Sequence, residues 1–412
     1  MKNESIKYSN NALHCDAVTV AEIAKEAGTP AYIYSLPRAL ANYERIKAAF
    51  SDFDAHIHYS AKANANLSVL RTLINAGAGI DCVSGGEIHR ALTAGAKPDT
   101  IVFAGVGKSP AELRYAIEKS VGWFNVENVD ELRQINGIAS ELGKSPVQIA
   151  LRLNPDVSAS THPNIATGHG AAKFGMTADV VSNLLKCQSD YPLINFAGIH
   201  IHIGSQLHDV GATAQAVQTA LELMAPHSNI RTINIGGGLP VAYSDDDKIP
   251  SFADFAATLQ PLLKDYTVLL EPGRSIIADA GILIARILYV KKQAGQTFYI
   301  VDASMTELLR PMLYGAQHQI IPVNRTDGEL QPVNIVGPVC ETTDILARSI
   351  DLPQMHPGDL LAILTCGAYG MVIANNYNAR PRPPEIVINQ GGNSWEIARR
   401  RETWDDLLNG EI

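Results

Sequence analysis

Several short stretches of this chain carry side chains that could do chemistry together. Lys62 closes the apolar run His58-Tyr59-Ser60-Ala61, where partial burial would lower the pKa of its amine and free it to form a Schiff base. His200 and His202 stand two residues apart and so share one face of a strand. Two imidazoles can hold a metal, but the spacing shows no third ligand, whereas an imidazole packed flat against a ring needs none. Gly236-Gly237-Gly238 would let backbone N–H groups approach a phosphate. Glu271 can keep a pyridine nitrogen protonated, and Arg274 can pair with an anion or with Glu271 itself. Each signal has an ordinary reading by itself: a strand-end lysine is usually solvated, and glycines at strand ends often only mark turns. Together, a reactive amine, a phosphate cradle, a ring-nitrogen acid and a stacking imidazole describe a site for pyridoxal 5'-phosphate.

These residues need a frame that brings them to one place, and the hydrophobic pattern supplies one. After an amphipathic helix over residues 37–50, apolar strands alternate with helix-period stretches. Strands are predicted at residues 56–61, 79–84, 100–105, 123–127, 147–154, 196–204, 231–236 and 267–271. Helices are predicted between them, among others at 67–75, 86–93, 111–119, 130–142, 178–186, 213–223 and 252–263. The alternation fits a closed (β/α)8 barrel of the TIM type, although an open doubly wound sheet also alternates. In a barrel, function collects at the C-terminal ends of the strands. Lys62, Asp81, His200, His202, the three glycines, Glu271 and Arg274 all fall there. From about Gly281 onward short strands with Gly and Pro punctuation replace the helices, which predicts an all-β barrel or sandwich domain. The expected division is residues 30–275 for the barrel and residues 1–29 with 276–412 for the β-rich domain. The segment from Pro155 to Gly175, with Thr161, His162, Thr167, Gly168 and Lys173, lacks periodicity and is a candidate lid.

Composition narrows the function classes. The chain has 412 residues, enough for two or three domains. A net charge of −9 with 18% charged residues argues against a nucleic-acid binder that neutralises phosphates. No apolar window is long enough for a membrane span, and the opening Met1-Lys2-Asn3-Glu4-Ser5 has no leader-type run. The expectation is a soluble cytoplasmic protein. Its five cysteines are scattered without a C-x-x-C pair, so neither a disulfide framework nor a zinc site is expected.

The motifs Tyr59-Ser60-Ala61-Lys62-Ala63-Asn64, Val83-Ser84-Gly85-Gly86-Glu87, His200-Ile201-His202-Ile203-Gly204-Ser205-Gln206, Gly236-Gly237-Gly238, Glu271-Pro272-Gly273-Arg274 and Gly337-Pro338-Val339-Cys340-Glu341 follow in order. In this the chain resembles the fold-type III pyridoxal-phosphate decarboxylases, and among them the diaminopimelate decarboxylases. The resemblance implies that Lys62 carries the cofactor and His202 stacks on its ring. It implies that Glu271 meets the pyridine nitrogen, and that Ser205, Gly236, Gly237, Gly238 and Tyr369 hold the phosphate, with Asp81 and Arg274 also at the cofactor. Arg274, Arg310, Tyr314, Glu341 and Tyr369 would hold an amino-acid substrate, and Cys340 would return a proton. It further implies a homodimer in which Cys340 and Glu341 come from the partner subunit. The chain departs from the family pattern at Gly315-Ala316-Gln317-His318, at Thr343, and in the middle of the lid segment. A decarboxylase of the same fold acting on ornithine, lysine, arginine or a carboxylated polyamine is the alternative. An alanine-racemase-like enzyme would place an arginine where Glu271 stands.

Overall fold

A computed structural model of the chain describes residues 3–157 and 172–412. They divide into two compact units. One comprises the described residues within 42–241 and 248–275, the other those within 3–41, 242–247 and 276–412.

The first unit is a closed parallel barrel. Its strands, in barrel order, are Asp54–Ser60, Gly79–Cys82, Ile101–Phe103, Trp123–Val126, Val147–Leu153, Ile194–Ile201, Thr232–Asn234 and Thr267–Leu270, the last pairing with the first. Each predicted strand is present. The connecting helices start where the sequence offers caps. Asn66, Ser84 and Asn128 each accept a backbone N–H of the first turn, and Ser109 with Glu112 and Ser251 with Asp254 form reciprocal capping boxes. Inside, Val102, Trp123, Ala150 and Leu269 make a thin apolar layer. Parallel register then decides what stands beside what. Ser60 pairs with Asp81, and His200 pairs with Arg152 on one side and Asn234 on the other, so polar side chains of neighbouring strands meet at one end of the barrel.

The second unit is a nine-stranded sheet with a three-stranded sheet formed by Ile6–Ser9, Ala12–Cys15 and Val18–Thr19. Its long strand Gly281–Gln293 pairs with Ala31–Ser35, Gln296–Val301 and Leu360–Ile363. The sequence analysis places Ala31–Ser35 at the start of the barrel domain; the structure makes it a strand of this sheet, between Gly281–Gln293 and Glu385–Ile388. All five of its residues are buried, so it has no alternation to reveal it. Ile33, Ile282, Ile284, Ile386, Ile388, Val20 and Ile23 pack in one core, each fully buried aliphatic side chain contributing about 1.5–3 kcal/mol. No helix among the described residues is long and apolar enough to cross a membrane.

Candidate active site

In the barrel unit, Lys62 sits in the single helical turn Ala61–Ala63 that follows the first strand. Its Nζ lies 3.1 Å from Asp81 Oδ2. Ser60 Oγ donates to the same oxygen at 2.7 Å. Asp81 is fully buried and its Oδ1 has no partner among the described residues. Burial, with the Glu271 charge behind it, pushes the Asp81 carboxyl up against the pull of Lys62.

Glu271 is held from several sides. Asn125 Nδ2 and Asn234 Nδ2 both donate to its Oε1, at 2.7 and 2.6 Å, and His200 Nε2 lies 3.4 Å from Oε2. Burial alone would raise this carboxyl. His200, Lys62 and the amide donors outweigh it and hold Glu271 well below the usual carboxylate range, so the group is ionised. The Asn125 amide is itself oriented, because Trp123 Nε1 donates to its Oδ1 at 3.2 Å. Lys108, whose side chain is wholly buried, bonds the Asn125 carbonyl at 2.7 Å and Glu131 Oε1 at 2.7 Å.

His202 is neutral. Burial, then the nearby Arg152 and Lys62 cations, press its imidazole well below the ordinary value. Its Nδ1 accepts the Gly237 N–H at 3.2 Å, which leaves the proton on Nε2. The three glycines are sterically required. A Cβ on Gly236, at φ +67, would lie 2.6 Å from His202 Nδ1, and one on Gly237 would lie 2.4 Å from the Glu271 carbonyl oxygen. Arg274 is buried and donates from Nε and Nη2 to Ser205 Oγ at 3.3 and 3.2 Å. Arg152, also buried, pairs with Glu127 Oε1 at 2.5 Å and lies 4.8 Å from the Phe174 ring.

In the other unit, Arg310 and Tyr314 open and close the short helix Arg310–Tyr314. Arg310 is buried and Tyr314 half-buried. Gly315 caps that helix at φ +62 with open space where a Cβ would stand, so this departure from the family pattern carries no packing consequence. Cys340 and Glu341 lie exposed on a turn that Asp344 fastens by accepting the Met305 and Val339 N–H groups at 2.7 and 2.9 Å. Thr343 is exposed and outside the left-handed region, so no glycine is needed there. Tyr369 is half-buried with a φ of +55, uncommon for an aromatic residue. Thr161, His162, Thr167 and Gly168 lie outside the described residues, and Lys173 is exposed, 5.3 Å from the Phe174 ring.

An amine beside a buried acid, an ionised carboxylate with one oxygen accepting two amide hydrogen bonds and a neutral imidazole over a glycine cradle suit an aromatic phosphate cofactor with a carbonyl. The family model for the pyridoxal-dependent decarboxylases, pyridoxal binding domain, matches residues 38–278. Diaminopimelate decarboxylases of Aquifex aeolicus and Vibrio cholerae are each 40% identical, over 98% and 96% of this chain and 97% and 95% of their own. The chain belongs to the diaminopimelate decarboxylase family. Solved structures agree. The enzyme of M. jannaschii in complex with L-lysine superposes with a TM-score of 0.93 at 34% identity, covering 100% of this chain and 98% of that one. That of Helicobacter pylori, also with L-lysine, gives 0.89 at 38% identity, covering 94% and 98%. The chain is thus a pyridoxal-phosphate-dependent decarboxylase. Its barrel brings together Lys62, Asp81, His202, Ser205, the three glycines, Glu271 and Arg274. Sequence reasoning passed over Asn125, Asn234, Arg152 and Glu127. The available signal was a polar residue inside an apolar strand, as in Trp123-Phe124-Asn125-Val126 and Thr232-Ile233-Asn234.

Proposed function

We propose that this chain decarboxylates meso-2,6-diaminopimelate to L-lysine and carbon dioxide, the last step of making lysine. The observation that carries the chemistry is Glu271, kept ionised by His200, by Lys62 and by amide donors on one oxygen. Pyridoxal 5'-phosphate, when bound, supplies an electron sink for the pair left behind as the α-carboxylate departs. Lys62 is the residue to hold the cofactor carbonyl, with Asp81 beside its Nζ. Glu271 is suited to keep the pyridine nitrogen protonated. His202, neutral and fixed by Gly237, offers a flat ring to stack on. Ser205, Gly236, Gly237, Gly238 and Tyr369 are assigned to the phosphate, and Arg274 supports Ser205. Arg310, Tyr314, Arg274, Tyr369 and Glu341 are assigned to the substrate, whose far end carries both a carboxylate and an ammonium and so calls for both signs. A proton must reach the former α-carbon, and the exposed thiol of Cys340 is assigned that transfer.

Cys340 and Glu341 are read as completing the site of a second copy, which makes the active form a homodimer. The test is to incubate the holoenzyme separately with meso-diaminopimelate, ornithine, lysine and arginine while following carbon dioxide and amine products. Lysine from diaminopimelate alone is the expected result. Turnover of another amino acid in its place would overturn the substrate assignment.

A further inference from the structure

Arg310 is 5% exposed, and no carboxylate among the described residues pairs with it. A buried cation without a counter-ion is costly unless a ligand supplies one. Its surroundings fix which edge remains available. Arg310 Nη1 lies 2.9 Å from His318 Nε2. His318 Nδ1 lies 2.9 Å from the Leu364 carbonyl oxygen, which can only accept. The imidazole proton is therefore on Nδ1, and Nε2 presents its lone pair to Arg310. The Tyr243 ring lies 4.8 Å from the Arg310 Cζ and meets His318 edge-on at 5.3 Å. Cys366 Sγ closes the back of the imidazole at 3.6 Å from Nδ1. The Arg310 Nε, by contrast, is buried and has no partner among the described residues.

We infer that His318 and Tyr243 are positioning residues that lock the Arg310 guanidinium by Nη1 and by its face, leaving the Nε and Nη2 edge to take a substrate carboxylate side-on. The inference rests on the reading of Arg310 as a substrate residue and adds how the group is aimed. A guanidinium presents its donors as a rigid fork, so holding one nitrogen and one face sets the direction of the remaining edge. A free side chain would sample several directions, and only one of them would meet the carboxylate in two parallel bonds.

The test compares two ligands on the holoenzyme: L-lysine, which keeps a carboxylate, and cadaverine, the diamine of the same length without one. His318→Phe keeps an aromatic ring but removes the acceptor. It is expected to raise the KM for meso-diaminopimelate and the inhibition constant of lysine about tenfold, the loss of one charge-assisted hydrogen bond. The cofactor absorbance, kcat and inhibition by cadaverine should stay within about twofold. His318→Gln, which restores an acceptor, should recover part of the lysine affinity. Unchanged lysine binding, or equal weakening of lysine and cadaverine, would overturn the clamp. Should His318→Phe fail to fold, Tyr243→Leu reads the same contrast. Arg310→Met separates the two levels. If it weakens lysine and His318→Phe does not, only the clamp fails; if neither weakens lysine, the reading of Arg310 fails with it.

Discussion

Glu271 shows how a few neighbours decide what a side chain can do. A buried carboxyl in apolar surroundings would be driven toward its neutral form. Here Asn125 and Asn234 each donate to Oε1, and a hydrogen bond to a charged group is worth about 1.5–3 kcal/mol, or one to two pK units. Asn234→Leu removes one donor at similar volume. The ionised form then loses part of its support, but the carboxyl starts so far below its usual range, with His200 and Lys62 still beside it, that it stays ionised; the expected change is a fall in kcat of about tenfold with the acid limb unmoved. A pH–rate profile of the variant checks this, and a kcat within about twofold of the parent's would show that the amides only fill space. The same residues mark the limit of sequence reading at this scale. Glu271 was legible because an acid followed by Pro-Gly-Arg ends a strand. The asparagines that govern it were not, because an isolated Asn in an apolar strand carries no sign of what it faces. His318 differs again: it lies in a stretch noted for departing from the family pattern, and only its hydrogen bonds reveal its partner.

At the scale of elements, the barrel strands were legible because a parallel strand wrapped by helices is a short apolar run between turn signals. What the pattern misses is any strand without contrast. Ala31–Ser35 is buried throughout, and Ile345–Pro353 has an irregular pattern, with register shifts against Leu330–Val336. The glycine run was legible as a cradle, but its steric necessity was not. Gly236→Ala would drive a Cβ into His202 Nδ1 and the Ile201 carbonyl, while Gly95→Ala, also at positive φ, meets nothing. Both variants therefore carry a backbone conformational cost of about 1 kcal/mol. Only Gly236→Ala should also lose cofactor, read by equilibrium dialysis and absorbance. Equal cofactor affinity in the two would remove the cradle from the account. The first strand supplies a second element-scale prediction. His58 has a buried Nδ1 without a partner among the described residues, and burial pushes its imidazole down to about 4, with the Glu271 charge pulling the other way. Its folded pKa lies below the unfolded value, so between about pH 6.5 and 4 the unfolded chain binds more protons and stability falls as pH falls. His58→Gln does not titrate. Its melting temperature should lose less than that of the parent chain over this window, by up to roughly 3 kcal/mol of stability; parallel curves would exclude His58 as the cause.

At the scale of the molecule, the residues assigned to one reaction are distributed over two compact units. Lys62 and Glu271 belong to the barrel, and Arg310, Cys340 and Glu341 to the β unit. The order of segments explains why the sequence division is cruder than the structural one: the chain returns to the β unit for Ala242–Asp247 between two barrel segments, and six residues are too few for a composition change to register. Cys340 and Glu341 lie on an exposed turn fastened from within by Asp344, so the turn keeps its shape without covering its own side chains. If these two residues serve a second copy, the defects of Lys62→Ala and Cys340→Ala must be separable. Each variant alone should be nearly inactive, Lys62→Ala because the cofactor has no amine and Cys340→Ala because the proton is not returned. Mixed and allowed to exchange subunits, half of the dimers are heterodimers, and in each of these one site has both defects and the other has none. Activity should then recover to about a quarter of that of the parent chain. Recovery depends on exchange, so a tag on one variant must first show that mixed dimers have formed. Mixed dimers without recovered activity would mean that Lys62 and Cys340 act within one chain, and the shared site would have to be abandoned.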